Sequence, residues 1–282
     1  MKIISVVGAR PNFMKIAPFV GGIGQYNLDH PDNPIHHILV HTGQHYDNRM
    51  SDLFFSDLNI PPADINLGVG SGTHAEQVGQ TMILFESVLR EEKPDWVVVV
   101  GDVNATLACS VTAKKEWVKC CHIEAGLRSG DMLMPEEINR LVTDRLSDLL
   151  LTPDLLSNEN LLKEGIPSSK VKFVGNIMID TLEANRHRAS SINILDIVSE
   201  NIHEYYNKEK IKEIDLSRKI AVMTLHRPSN VDNEIILKEI MNFIMNEVCE
   251  NMTLFWPIHP RTEKNLKQFN IWEKITKTCN LS

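Results

Sequence analysis

The chain has 282 residues, 43% hydrophobic and 23% charged, which gives enough apolar material for a packed core in one large domain or two smaller ones. Its formal net charge of -8 excludes a generally basic surface, so no nucleic-acid partner is expected. No run approaches the roughly 20 apolar residues of a membrane span, so no membrane partner is expected either.

The first apolar run, residues 3–7, meets Gly8, Ala9 and Arg10 at once. That is too short for a signal-peptide core, and a cytoplasmic location is expected. The five cysteines, Cys109, Cys120, Cys121, Cys249 and Cys279, are odd in number and lack the spacing of a zinc site or redox dithiol, so they read as reduced, mostly buried thiols. Further apolar, β-rich runs follow at 37–40, 96–100, 121–123, 149–151 and 171–174, each leading through a polar turn into a segment of helical character. The alternation predicts βαβ units around a parallel sheet covered by helices on both faces. A second series contains strands at 220–224 and 253–256, a helix over 232–248 between them, and a polar helical connector over 191–212. The boundary is placed at 171–176, giving a first domain of 1–174 and a second of 175–282. Two clear strands are fewer than the five or six of a doubly wound domain, so the second domain is expected to be truncated.

The strand exits carry the chemistry, because ligands of open α/β sheets bind at the carboxyl ends of the strands. The first turn, Gly8-Ala9-Arg10-Pro11-Asn12-Phe13-Met14-Lys15, has one glycine where a dinucleotide fingerprint needs three. Arg10 beside a helix N-terminus and Lys15 about one turn into that helix could face an anion, or could be two solvated charges. The second exit holds His41, Gln44 and His45 with no carboxylate or cysteine in a recognisable ligand pattern. Substrate contacts or loop capping are expected there, and no metal.

Asp102 follows the third long strand and Glu124 the fourth, so both project from one edge of the sheet. The alternatives are that Asp102 caps the following helix and that Glu124 pairs with Arg128. Pro135, Glu136 and Glu137 read as a helix start, with proline and acids in the first turn. His226 and His259 end successive strands of the second series.

Taken in order, Gly8-Ala9-Arg10-Pro11 with Lys15, Gly101-Asp102, His122-Ile123-Glu124-Ala125-Gly126-Leu127-Arg128, Pro135-Glu136-Glu137-Ile138-Asn139-Arg140, Gly175-Asn176 with Asp180, and His226-Arg227 resemble the non-hydrolysing UDP-N-acetylglucosamine 2-epimerases. The resemblance runs to about residue 261. It implies an α/β, GT-B-like fold of two Rossmann-like domains, a UDP-sugar substrate, no cofactor, and a homodimer. The implied reaction inverts carbon 2 of UDP-N-acetylglucosamine by eliminating UDP to 2-acetamidoglucal and adding it back, which needs cations for the diphosphate and carboxylates to move protons on both faces. Arg10 and Lys15 are assigned to the diphosphate with His226 near it, and Asp102, Glu124 and Glu136 to proton transfer. Gln44 and His45 match a regulatory site of some members, although Gly70-Ser71-Gly72-Thr73 stands where those carry an Arg-Gln pair. The same chemistry on a UDP-diacetamido-uronate, or an inactive truncated binding fragment, are the alternatives.

Overall fold

The computed structural model describes residues 1–43, 58, 60–201 and 214–278. The chain divides into two compact units, Met1–His187 and Arg188–Ser282.

The first unit is built on seven strands: β1 (Lys2–Val7), β2 (His36–His41), β3 (Ile65–Asn66), β4 (Trp96–Val100), β5 (Lys119–Ile123), β6 (Leu149–Thr152) and β7 (Val171–Phe173). They lie in the order β3-β2-β1-β4-β5-β6-β7, and every neighbouring pair is parallel. The described helices are α1 (Arg10–Asp29), α2 (His74–Glu92), α3 (Asn104–Lys115), α4 (Pro135–Leu146), α5 (Leu155–Lys163) and α6 (Ile177–Ser190). β4 is a run of four valines after Trp96, β-branched residues that suit a pleated strand and, buried on both sides, need no polar alternation. Val97 and Val99 enter a cluster with Ile4, Val6, Phe85 and Leu89. Val98 and Val100 turn to the other face with Ile3, Cys121 and Ile123. Helices therefore cover the central strands on both faces, as the apolar runs predict.

The helix ends follow from local chemistry. α2 starts in a capping box, with Thr73 Oγ1 accepting from the Glu76 amide at 3.3 Å and Glu76 Oε2 accepting from the Thr73 amide at 2.8 Å. α4 begins at Pro135 with Glu136 and Glu137 in its first turn, where the proline lacks no needed donor and acids oppose the dipole.

The second unit contains the parallel pair β8 (Lys219–Val222) and β9 (Met252–Phe255), and the helices α7 (Ile194–Asn201), α8 (Pro228–Val231), α9 (Glu234–Phe243), α10 (Pro260–Gln268) and α11 (Trp272–Thr278). Its core joins Val231, Leu237, Met241, Leu254, Trp256 and Leu266. This matches the expected class of two Rossmann-like α/β units in a GT-B-like chain. The helix expected over 232–248 is instead broken. Asp232 closes α8, and the side chain of Asn233 caps α9, accepting from the amides of Ile235 and Ile236 at 2.9 and 3.2 Å. The helix then runs on through a π turn, Ile244–Val248. Strand β8 stops at Val222, two residues short of expectation, and the connector is helical over Ile194–Asn201 with 202–212 outside the described residues.

The cysteines are not uniform. Cys109, Cys120 and Cys121 are free and buried, and desolvation pushes the Cys120 thiol up to about 12. Cys249 is disulfide-bonded, which corrects the expectation of five reduced thiols. Cys279 lies outside the described residues.

Candidate active site

The strand order reverses direction between β1 and β4, which makes the crevice at their carboxyl ends the topological switch point where doubly wound sheets bind ligands. Asn12 ties this point together. Its side-chain oxygen accepts from the Gly8 and Ala9 amides at 3.0 and 3.1 Å, and its Nδ2 donates to the Val100 carbonyl at 2.9 Å. The turn after β1 is thus fastened to the end of β4.

Lys15, one turn into α1, forms an ion pair with Glu124. Both side chains are largely buried, at 13% and 14% exposure, so this is a held pair and not two solvated surface charges. Gly101 makes room for it. Its φ of +68° lies in the left-handed region, and a Cβ there would sit 3.2 Å from Lys15 Nζ and 3.5 Å from Glu124 Oε2. Glu124 itself has φ of +72°, a conformation that costs a non-glycine residue roughly 1–2 kcal/mol. It is over-determined: the amides of Glu124 and Ala125 both donate to the Leu151 carbonyl at 3.0 Å.

Asp102 is held by a different cation. Arg140 of α4 reaches its Oδ2 through Nε at 3.1 Å and Nη2 at 3.0 Å, and the Asn139 side chain donates to the Asp102 carbonyl at 2.8 Å. Arg140 is anchored in turn by Glu137. The Glu137 carboxylate is buried, which alone would raise its pKa, but the Ser129 and Gly130 amides, each 3.0 Å from one of its oxygens, together with Arg140 hold it below the usual range. Val100 pairs with Ile123 across β4 and β5, so the turns carrying Asp102 and Glu124 leave neighbouring strands, about 4.8 Å apart.

Beneath them runs a buried network. His122 donates from Nδ1 to Asp144 Oδ1 at 2.6 Å, and its Nε2 meets the Gly101 carbonyl at 2.8 Å. Asp144 Oδ2 accepts from the Gly126 amide at 3.0 Å and from Arg128 at 2.7 Å. Arg128 also grips Glu164 through two 2.7 Å bonds.

The structure therefore gathers Lys15, Asp102 and Glu124 at one edge of the sheet. Neither local alternative holds. Glu124 pairs with Lys15 and not with Arg128, and α3 is capped by Val103, without a side-chain bond from Asp102. Glu136 stands exposed in the first turn of α4, while its neighbour Glu137 is the buried one. Arg10 opens α1, but its side chain, like Gln44 and His45, lies outside the described residues. In the second unit His226 follows β8, its ring 5.7 Å from that of His259. Asn12, Arg140 and Asp144 were not anticipated as site residues. The buried residues of α4, Glu137, Asn139, Thr143 and Asp144, are all polar, so apolar periodicity gave no signal for the two on that helix. Chemically, two carboxylates, each beside a cation, can exchange protons with a substrate while the cations meet a departing anion.

Comparison with known proteins bears on the same blocks. The sequence model of a family described as UDP-N-acetylglucosamine 2-epimerase matches residues 29–281. The UDP-N-acetylglucosamine 2-epimerase of Methanocaldococcus jannaschii is 40% identical over 277 residues, covering 98% of this chain and 70% of that protein. The UDP-2,3-diacetamido-2,3-dideoxy-D-glucuronate 2-epimerase of Pseudomonas aeruginosa is 36% identical, over 96% of this chain and 70% of that protein. Among solved structures, the Methanocaldococcus jannaschii UDP-GlcNAc 2-epimerase in complex with UDP-GlcNAc and UDP superposes with a TM-score of 0.80 at 36% identity, covering all of this chain and 72% of that one.

Proposed function

Because the chain belongs to the UDP-N-acetylglucosamine 2-epimerase family, we propose that it inverts carbon 2 of UDP-N-acetylglucosamine to give UDP-N-acetylmannosamine. The observation that carries the residue assignment is the pair of strand-end carboxylates, Asp102 and Glu124, each beside its own cation at the switch point. The hydrogen on carbon 2 is not acidified by a neighbouring carbonyl, so UDP leaves first and the oxocarbenium-like state makes that proton removable. One carboxylate takes the proton to leave bound 2-acetamidoglucal, and a carboxylic acid returns a proton on the opposite face before UDP adds back. Lys15, with Arg10, receives the charge that develops on the diphosphate, and His226 serves the same group. Glu136 is the third acid of this assignment. The reaction begins and ends at one oxidation level and calls for no redox cofactor.

The diacetamido-uronate alternative is less favoured, since the relative that carries that activity in its name is the less similar, at 36% against 40%. A homodimer, which rests on the family resemblance, and a cytoplasmic location are part of the same proposal. Among the described residues no helix is long and apolar enough to cross a membrane.

Turnover of UDP-N-acetylglucosamine in deuterated water tests the route. Deuterium is expected at carbon 2 of the product, and product that keeps all of its original hydrogen would exclude elimination.

A further inference from the structure

Asp144 lies on α4, fully buried and out of reach of solvent, yet it touches the supports of both turns that carry the proposed acids. One oxygen accepts from His122, whose other ring nitrogen meets the carbonyl of Gly101, the residue before Asp102. The other oxygen accepts from the amide of Gly126, two residues after Glu124, and from Arg128. Each carboxylate oxygen thus secures a different strand exit.

We propose that Asp144 is a positioning residue for the epimerisation, setting the Gly101-Asp102 turn through His122 and the Glu124-Ala125-Gly126 turn directly. The proposal rests on the reading of Asp102 and Glu124 as the proton-transferring acids. The second turn needs such a hold because it places Glu124, a non-glycine residue, at φ of +72°, a conformation that a chain leaves unless its surroundings fix it. The first turn needs it because the Gly101 carbonyl points into the protein, where the buried His122 ring meets it. An acid displaced by about 1 Å from a proton-transfer geometry loses on the order of 10²-fold in rate. The two acids share one anchor, so a change at Asp144 reaches the turn of one acid or the other.

Asp144→Asn keeps the shape but cannot accept on both sides. Its amide nitrogen must face either the His122 N–H or the Gly126 and Arg128 donors, and one turn is released. In the whole chain, kcat per folded molecule, counted by UDP-binding stoichiometry, should fall on the order of 10²-fold while KM changes by less than about 3-fold. Deuterium entry at carbon 2 should fall in step. His122→Asn, which keeps a donor near Asp144 and loses the bond to Gly101, should show the same split. Normal kcat per folded molecule in Asp144→Asn, or a KM that rises by as much as kcat falls, would overturn the proposal. If Asp144→Asn does not fold, Glu164→Gln carries the test at the outer end of the network: a loss of about 3- to 10-fold in kcat at constant KM supports it, and unchanged kcat overturns it. Asp102→Asn and Glu124→Gln are measured alongside. Near-normal kcat in both removes the underlying reading and the proposal with it, whereas deep losses there beside a normal Asp144→Asn refute the positioning role alone.

Discussion

Lys15 and Glu124 form the most consequential contact at the scale of single residues, because each is mostly buried and each is the other's counter-ion. Burying a charge without a partner is expensive, so the pair is retained or replaced as a unit. On the proposed mechanism the diphosphate competes with Glu124 for the Lys15 ammonium. Lys15→Met keeps the apolar stem and removes the charge. UDP binding should weaken by roughly 1.5 to 3 kcal/mol, the range of a lost charge-assisted contact. Calorimetry with UDP checks this, and an unchanged affinity would take Lys15 out of the diphosphate site.

The turn after β5 shows what an element contributes that a residue cannot. Gly126 has φ of +83°, and a Cβ there would lie 2.5 Å from the Ser157 carbonyl oxygen of α5, a backbone atom with little freedom to move. Gly130, a few residues on, has φ of +73° with nothing within 4 Å of a Cβ. Both alanine substitutions meet the left-handed backbone cost of roughly 1–2 kcal/mol, but only Gly126→Ala adds a steric conflict between β5 and α5. Gly126→Ala should therefore destabilise by roughly 3 kcal/mol or more, against about 1 kcal/mol for Gly130→Ala. Urea midpoints of the two variants decide it, and equal losses would mean that the turn relaxes freely.

For the whole molecule, the same network makes stability depend on acid. Burial would raise the Asp144 pKa, but His122 and Arg128 outweigh it and hold the carboxyl below its ordinary value. Asp148 is shifted the same way: burial opposes the shift, and Lys114 and the Cys120 amide outweigh it. A carboxyl whose folded pKa is depressed contributes stability above its unfolded pKa and loses it as pH falls through the folded value, since the unfolded chain takes up the proton first. The unfolding free energy should be level near neutrality and decline once pH drops into and below the carboxylate range. Urea titrations across that interval test it, and a flat profile would show that the buried pairs contribute no net stability.

Composition and periodicity determined a good deal of this protein. Residues 96–100 were legible as a strand because four valines after a tryptophan leave little alternative, and Asp102, Glu124 and Lys15 were legible as site candidates because they stand at the ends of such runs. The ordered blocks around them, above all residues 122–128 and 135–140, carried the family. Partner choice was not legible. Lys15 is 109 positions from Glu124, Asp102 38 from Arg140, and His122 22 from Asp144, and it is the order β1-β4-β5 that brings each pair together. The alternative Glu124–Arg128 pair failed for that reason: only the tertiary structure shows that Asp144 and Glu164 already occupy Arg128. Local sequence encodes which segments become strands and helices through the spacing of their apolar residues. Which charges finally meet depends on strand order and on buried polar groups that must each find a partner, and those conditions are met only in the assembled sheet.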